Sequence, residues 1–272
     1  MSIKILFIGD MVGKISRKAC AALLPEIKKT YKPDLVIANA ENSAHGSGLT
    51  EKIFHELKSY GVDCMTLGDH AFDRQETREL LVREKATLIR PRNYPPHMPG
   101  SGEMIIEVGS KKILIVNLLG RVFMKMDYED PFKAIDEILT QHKNDNLSAI
   151  LVDFHAEATS EKKAFGWYTD GRVSAVLGTH THVPTCDARI LPQGTAYVSD
   201  VGMVGARDSV IGIDKKAVIE TFLTQVKKLF EPVDSGVCEF NCVLVEIDNV
   251  TKKATSIQRM SHGSDNVIVQ GS

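Results

Sequence analysis

No stretch of the 272-residue chain is apolar for long enough to span a bilayer, and the first apolar run turns polar at Gly9 and Asp10, too early for a signal-peptide core. The expected setting is the cytoplasm, with no membrane partner. A basic stripe is also missing. The lysine pairs Lys28–Lys29, Lys111–Lys112 and Lys227–Lys228 are scattered, and the net charge is -2, so a long nucleic acid is not an expected partner. The cysteines Cys20, Cys64, Cys186, Cys238 and Cys242 include no CxxC spacing, which excludes a zinc finger and leaves most of them as small buried hydrophobes in a reducing compartment. Internal repeats and low-complexity segments are absent. What is there is ordinary for an enzyme: 43% hydrophobic and 25% charged residues. One domain over residues 1–260 is the economical reading, with the polar end 261–272 a loose tail.

Apolar runs alternate with helical patterns through the first half, the signature of βα units and an α/β fold. A strand at Ile3–Ile8 precedes a helix over Ile15–Thr30 and a strand at Leu35–Ala38. A second helix is expected from Thr50, and a third from Asp73, whose carboxylate would cap it while Glu76 completes a capping box. The segment Ile89–Gly102 is too rich in proline for a helix and reads as a lid or wall. Hairpins are expected around Gly109–Ser110, Pro192–Gly194 and Asp248–Thr251, so the sheets are mixed and the second half is strand-rich.

Several predicted strands run straight into residues that bind metals: Asp10 after IKILFIG, Glu41 after LVIANA, Asp69 and His70 after CMTLG, His155 after AILVDF, and His180 with His182 after AVLGT. Open α/β sheets bind ligands at the carboxyl ends of their strands, so these residues can meet in one crevice. Taken singly, GDMVG reads as an ordinary strand-to-helix turn with Asp10 capping a helix, ENSAHGSG is rich enough in glycine to be only a loop, and GDHAFD is a toss-up between turn chemistry and a site. GTHTHVPT is sharper, because alternation points His180 and His182 to the same side of an extended segment. Asp153 suits a supporting carboxylate rather than a ligand, whereas Glu157 and Glu161 read as surface or helix-start charges. Imidazoles and carboxylates without thiolates suit Fe, Mn or Zn. Arg90, Arg92, Asn93 and His45 are candidates for holding phosphate or base, and Trp167 and Tyr168 for stacking on a base. Each also has a plain reading in loop hydrogen bonding or packing.

The ordered series GDMVG, ENSAHG, GDHAFD, RPRNYP, FHAEATSEK, GWYTDGR, GTHTHV and SDVGM resembles the YmdB-type family of bacterial metallophosphoesterases, a branch of the calcineurin-like dinuclear hydrolases. The resemblance runs from the first strand to about Arg259. It implies a four-layer α/β/β/α sandwich and two divalent metal ions, Fe or Mn before Zn. It further implies hydrolysis of small cyclic nucleotides, notably 2′,3′-cyclic ones, by a metal-bridging hydroxide. Carried over residue by residue, Asp10 and His182 would hold one ion with the amide oxygen of Asn42, while Asp69, His155 and His180 would hold the other and Glu41 would bridge. His70 would protonate the departing oxygen.

One departure stands out. Where that family ordinarily has Asn in a GNH motif, this chain has Asp69. A carboxylate still ligates, but it leaves the centre formally neutral where the Asn version would keep one positive charge, and it removes an amide donor. The change lends some weight to a second reading, a metal-binding regulatory protein that acts through a partner and retains weak phosphoesterase activity. Substrate identity and assembly into a homo-oligomer are left open by the sequence.

Overall fold

The computed structural model describes residues 2–261 and 268–269. Its elements, in chain order, are β1 (Ser2–Ile8), β2 (Asp10–Met11), α1 (Gly13–Tyr31), β3 (Leu35–Asn39), α2 (Glu51–Ser59), β4 (Cys64–Thr66) and α3 (Gln75–Arg83). Then follow β5 (Glu103–Val108), β6 (Lys111–Leu119), α4 (Pro131–Gln141), β7 (Ala149–His155), α5 (Thr159–Thr169) and β8 (Ala175–Thr179). The chain continues through β9 (Arg189–Ile190), β10 (Ala196–Val198), β11 (Met203–Ala206), α6 (Lys215–Thr224), β12 (Gly236–Asp248), β13 (Ala254–Ser261) and β14 (Ile268–Val269). Residues 262–267 and 270–272, most of the expected tail, lie outside the described residues.

The strands form two mixed sheets. The first runs β2-β11-β12-β1-β3-β4, with β13 and β14 also paired to the long β12, and the second runs β5-β6-β7-β8-β10-β9. Within them, β1, β3 and β4 are mutually parallel, as are β6, β7, β8 and β10. Their carboxyl ends therefore open on shared crevices.

The layers follow from side-chain alternation along strands buried on both faces. Leu6, Ile8, Val36 and Ala38 pack outward against Ile15 and Leu24 of α1, Phe54 and Leu57 of α2, and Leu80 of α3. The intervening Ile5, Phe7, Leu35 and Ile37 face the other way and meet Ile113, Ile115, Leu151 and Leu177 of the second sheet. That sheet's far face, with Leu114, Val116, Val152 and Phe154, is covered by Ile135 and Ile138 of α4 and Phe165 of α5. Helix, sheet, sheet and helix are thus joined by three apolar seams, the expected four-layer α/β/β/α sandwich.

Local signals were read with mixed success. Thr50 caps α2, its hydroxyl accepting from Ile53 N at 3.3 Å. The expected cap at Asp73 fails: α3 begins at Gln75 behind Arg74, with no side-chain cap. The Asp73 carboxylate is instead taken by Ser47 Oγ and His70, while Glu76 accepts from Glu51 N at 3.1 Å, at the start of α2. The three hairpins form where expected, as β5/β6, β9/β10 and β12/β13. The strand-rich description of the second half omits α5 and α6. In α5, Glu161 and Lys162 lie on the buried face and break the apolar period that would have announced a helix. No helix among the described residues is long and apolar enough to cross a membrane.

Candidate metal centre

Asp10, Glu41, Asn42, Asp69, His70, His155, His180 and His182 come together at the strand ends, although they are spread over the chain. Ligand atoms of Glu41, Asp69, His155 and His180 all lie within 4.8 Å of one another. Glu41 Oε1 is 2.9 Å from His155 Nε2, and Asp69 Oδ1 is 3.2 Å from the same nitrogen and 3.4 Å from His180 Nδ1. Beside this set, Asn42 Oδ1 is 3.3 Å from His182 Nε2. Between the two halves sits Asp10, fully buried: its Oδ2 accepts from His180 N at 3.2 Å, and its Oδ1 has no hydrogen-bond partner among the described residues.

Each imidazole has its outer nitrogen tied to an acceptor, the arrangement that aims the inner nitrogen's lone pair at a metal. Thr179 Oγ1 donates its proton to Asp153 Oδ1 at 2.7 Å, so at 2.8 Å it can only accept from His155 Nδ1–H. His180 Nε2 lies 3.1 Å from Glu157 Oε2, and His182 Nδ1 donates to the carbonyl of Ile211 at 2.9 Å. Asn42 is oriented in the same manner, its Nδ2 donating to Gly46 O at 3.1 Å. Asp153 is buried, and burial pushes its carboxyl up to about 6, within a supporting role. Glu157 is exposed, as expected, and from the surface it also orients an imidazole. Glu161 is the helix-start charge of the two: it lies buried in the first turn of α5 and accepts from Arg121 N at 2.9 Å and Val122 N at 3.0 Å.

The backbone that presents the two histidines is strained. His180 and His182 have φ of +98° and +66°, a conformation that non-glycine residues keep only where surroundings hold it. The restraint is a buried ion pair. Lys162 Nζ donates to Thr179 O at 2.8 Å and to Asp200 Oδ2 at 2.7 Å, and the same oxygen accepts from Thr181 N at 3.1 Å and Thr181 Oγ1 at 2.8 Å. Thr181, between the two histidines, is thereby fixed from behind. Alternation on an extended strand was therefore the wrong reason for their common orientation.

The charges fit a cation. Burial alone would raise the carboxyls of Glu41 and Asp69, yet the His155 imidazole holds Glu41 below its ordinary value and hydrogen bonds from His155 and His180 hold Asp69 well below. Burial would equally strip His155 of its proton, but Glu41, Asp69 and Asp10 hold that proton well above the ordinary range. Asp10 is pushed up by burial against the pull of His182 and His155. Acceptors this crowded repel unless a positive charge lies among them, and a proton on His155 and a divalent ion would compete for the same place. Gly68 is part of the cradle: a Cβ there would stand 2.2 Å from Glu41 Oε2 and 2.4 Å from His155 Nε2. Donor chemistry, the orphaned Asp10 oxygen and this space all suit metal ions held by nitrogen and oxygen.

At the mouth, His70 N donates to Glu41 Oε2 at 3.0 Å, and His70 Nδ1 lies 2.8 Å from Asp73 Oδ2. Of the candidates for phosphate or base, His45 lines the cavity. Arg90 is consumed by carbonyls of Pro91, Pro99 and Met98 at 2.7, 3.2 and 3.0 Å, and Asn93 Nδ2 by Leu119 and Glu129 at 2.8 Å each. Arg92 faces Glu103 at 3.3 Å. These three pin the proline-rich wall together rather than lining the cavity. Trp167 stacks under Arg189 at 5.2 Å and Tyr168 bonds Asp136 at 2.6 Å, both away from the cradle.

The chain is similar to known proteins in sequence and in fold. A 2′,3′-cyclic-nucleotide 2′-phosphodiesterase of Bacillus subtilis is 44% identical over 267 residues, covering 98% of this chain and 100% of the relative. A putative phosphatase/phosphodiesterase of Mycoplasma pneumoniae is 40% identical over 93% of this chain and 90% of its own. The crystal structure of a novel phosphatase from Mycoplasma pneumoniae superposes with a TM-score of 0.89 at 40% identity, covering 96% of this chain and 93% of the other. A family model described as YmdB-like protein matches residues 6–260, and with it the fold, the motif order and the converging donors agree that the chain belongs to the YmdB-like family.

Proposed function

We propose that the protein is a two-metal phosphodiesterase that opens small 2′,3′-cyclic nucleotides. The observation that carries this reading is the convergence of three imidazoles, each with its outer nitrogen tied down, around a glutamate whose two oxygens face different partners. Asp69, His155 and His180 would hold one ion, Asp10, Asn42 and His182 the other, and Glu41 would serve both. Iron or manganese suits the donors best, with zinc as the alternative. When bound, the ions supply Lewis acidity toward the phosphoryl oxygens and an activated water as nucleophile.

The chain's own contribution is position and a proton. Asp73 accepts from His70 Nδ1–H, which turns Nε2 toward the cavity that His70 lines. Burial would lower the affinity of this imidazole for its proton, but Glu41, Asp69 and Asp73 outweigh it and raise the pKa above the ordinary histidine value. The proton that this shift favours passes from Nε2 to the departing ribose oxygen as the P–O bond breaks. If that oxygen is O2′, as the name of the Bacillus subtilis relative indicates for that protein, the product is a nucleoside 3′-phosphate. The buried Lys162–Asp200 pair keeps His180 and His182 in register with the donors across the cleft.

The test is metal analysis of protein purified without chelators, paired with turnover of a panel of phosphodiesters and their repetition with Glu41→Gln. Two ions per chain and turnover lost in the variant support the reading. A metal-replete protein that hydrolyses none of the panel would instead favour a regulatory metalloprotein acting through a partner.

A further inference from the structure

The cavity around the cradle, of about 490 Å³, has a lining of two unlike kinds. Polar residues, among them Glu41, Asn42, Ser47 and His70, line it together with the apolar Val12, Ile211, Ile213 and Phe230. Among the described residues that line it, none is Lys or Arg. A phosphate held there depends on the ions and imidazoles, and the apolar residues offer a surface for the rest of a substrate.

That surface is fixed to the chemistry rather than merely near it. The Ile211 carbonyl accepts the Nδ1–H of His182, and Ile211 itself has φ +48°, an uncommon conformation for a β-branched residue. Val210 and Ile213 bond each other's backbones at 2.9 and 3.0 Å, and the turn is clasped to the chain beyond Phe230 by Asp214 N to Glu231 O and Val233 N to Gly212 O, both at 2.9 Å. Phe230 is thereby set beside the cavity with 48% of its surface open, the same fraction as Ile211. Exposed apolar surface held in place next to a polar site is the form a base-stacking platform takes.

We infer that Phe230, flanked by Ile211 and Ile213, is the platform on which the substrate's nucleobase rests while its phosphate occupies the cradle. The inference deepens the phosphodiesterase reading above and rests on it. Every base offers a π face, whereas none of Val12, Ile211, Ile213 and Phe230 carries a polar side chain that could read a base edge. Recognition at this surface therefore requires a base but distinguishes poorly among adenine, guanine, cytosine and uracil.

The test compares equilibrium binding of adenosine 3′-monophosphate and of inorganic phosphate to the metal-loaded full chain. Phe230→Ala should lower the ratio of nucleotide to phosphate affinity about tenfold, within the range for removing one aromatic stacking partner. Phe230→Trp should restore that ratio. Phe222→Ala, which removes an aromatic ring of α6 that is 81% exposed and does not line the cavity, should leave it unchanged. An unchanged ratio in Phe230→Ala, or an equal fall in Phe222→Ala, overturns the inference. Parallel turnover of 2′,3′-cyclic AMP separates this outcome from failure of the function itself: no turnover by the unmodified protein sinks the phosphodiesterase reading, while the binding ratio still decides the platform.

Discussion

The two halves of the cradle are built to different tightness. Around His155 the donors of Glu41, Asp69 and His180 crowd within 4.8 Å, and His155 and Glu41 are buried. Around His182 the companions are the neutral amide of Asn42 and the carboxylate of Asp10, and the ring is half-buried. With Glu41 counted in both, each half has two carboxylates, but the His155 half has a second imidazole where the His182 half has an amide oxygen, the weaker donor for a transition metal. The halves should therefore fill in sequence, the His155 half first, and Glu41 is the group whose loss reaches both. Glu41→Gln removes a charge from both halves and is expected to retain the fold while nearly abolishing hydrolysis and reducing metal content. Near-normal turnover in this variant, measured at saturating manganese with the fold verified by circular dichroism, would contradict a shared ligand.

A smaller effect tests the mouth against the floor. His70→Ala should keep both metals and lower turnover roughly 10²- to 10⁴-fold for a poor leaving group, with a milder loss for a p-nitrophenyl ester that needs less protonation. Asp73→Asn should show the same bias toward poor leaving groups, because its side chain meets His70 Nδ1 and Ser47 Oγ, neither of them part of a proposed ligand set. Equal losses for activated and unactivated esters, or loss of metal, would move His70 out of the acid role.

The difference between the halves can be sharpened from behind. Thr179→Val deletes the hydroxyl between His155 Nδ1 and Asp153, without touching the His182 half. Loss of such an orienting hydrogen bond costs about 10- to 100-fold in metal affinity. In a manganese titration of chelator-stripped protein, the tight phase should weaken by that factor while the weak phase stays in place. Weakening of both phases to the same extent would show that the halves are not independent.

The strand ends were legible because a parallel strand buried on both faces reads as a continuous apolar run, and the residue that stops it is conspicuous: Asp10 after Ile8 and Gly9, Asp69 after Leu67 and Gly68. What orients those residues was not legible. Lys162, Asp200 and Thr179 act through contacts set by how β7, α5, β8 and the chain after β10 stack, and nothing in local spacing reports them. Asp73 misled for a related reason. Its sequence position suits a helix cap, but a histidine three residues back claimed the carboxylate. Phe230 lies in a stretch without periodic pattern, and only the clasp between residues 212–214 and 231–233 brings it to the site.

The smallest expected effect concerns Asp69, the residue that makes the tight half so acidic. Its Oδ1 lies within 3.4 Å of both His155 and His180, and its carboxyl is held well below the ordinary range, so it enters the centre fully charged. Asp69→Asn preserves a ligating oxygen, removes one negative charge that repels phosphate, and adds an amide donor that can reach a substrate oxygen. The expected result is a gain of about tenfold in kcat/KM for phosphodiesters, roughly 1.4 kcal/mol of transition-state stabilisation, a size suited to one charged or hydrogen-bonding interaction. The same change should narrow the gap between the two manganese-binding phases, since it makes the donor sets more alike. If the surroundings have instead adapted to aspartate through a harder metal, the amide will bind that metal worse. Measuring kcat/KM of both proteins with Mn and with Fe at matched occupancy decides between these: a loss with both metals would overturn the charge argument.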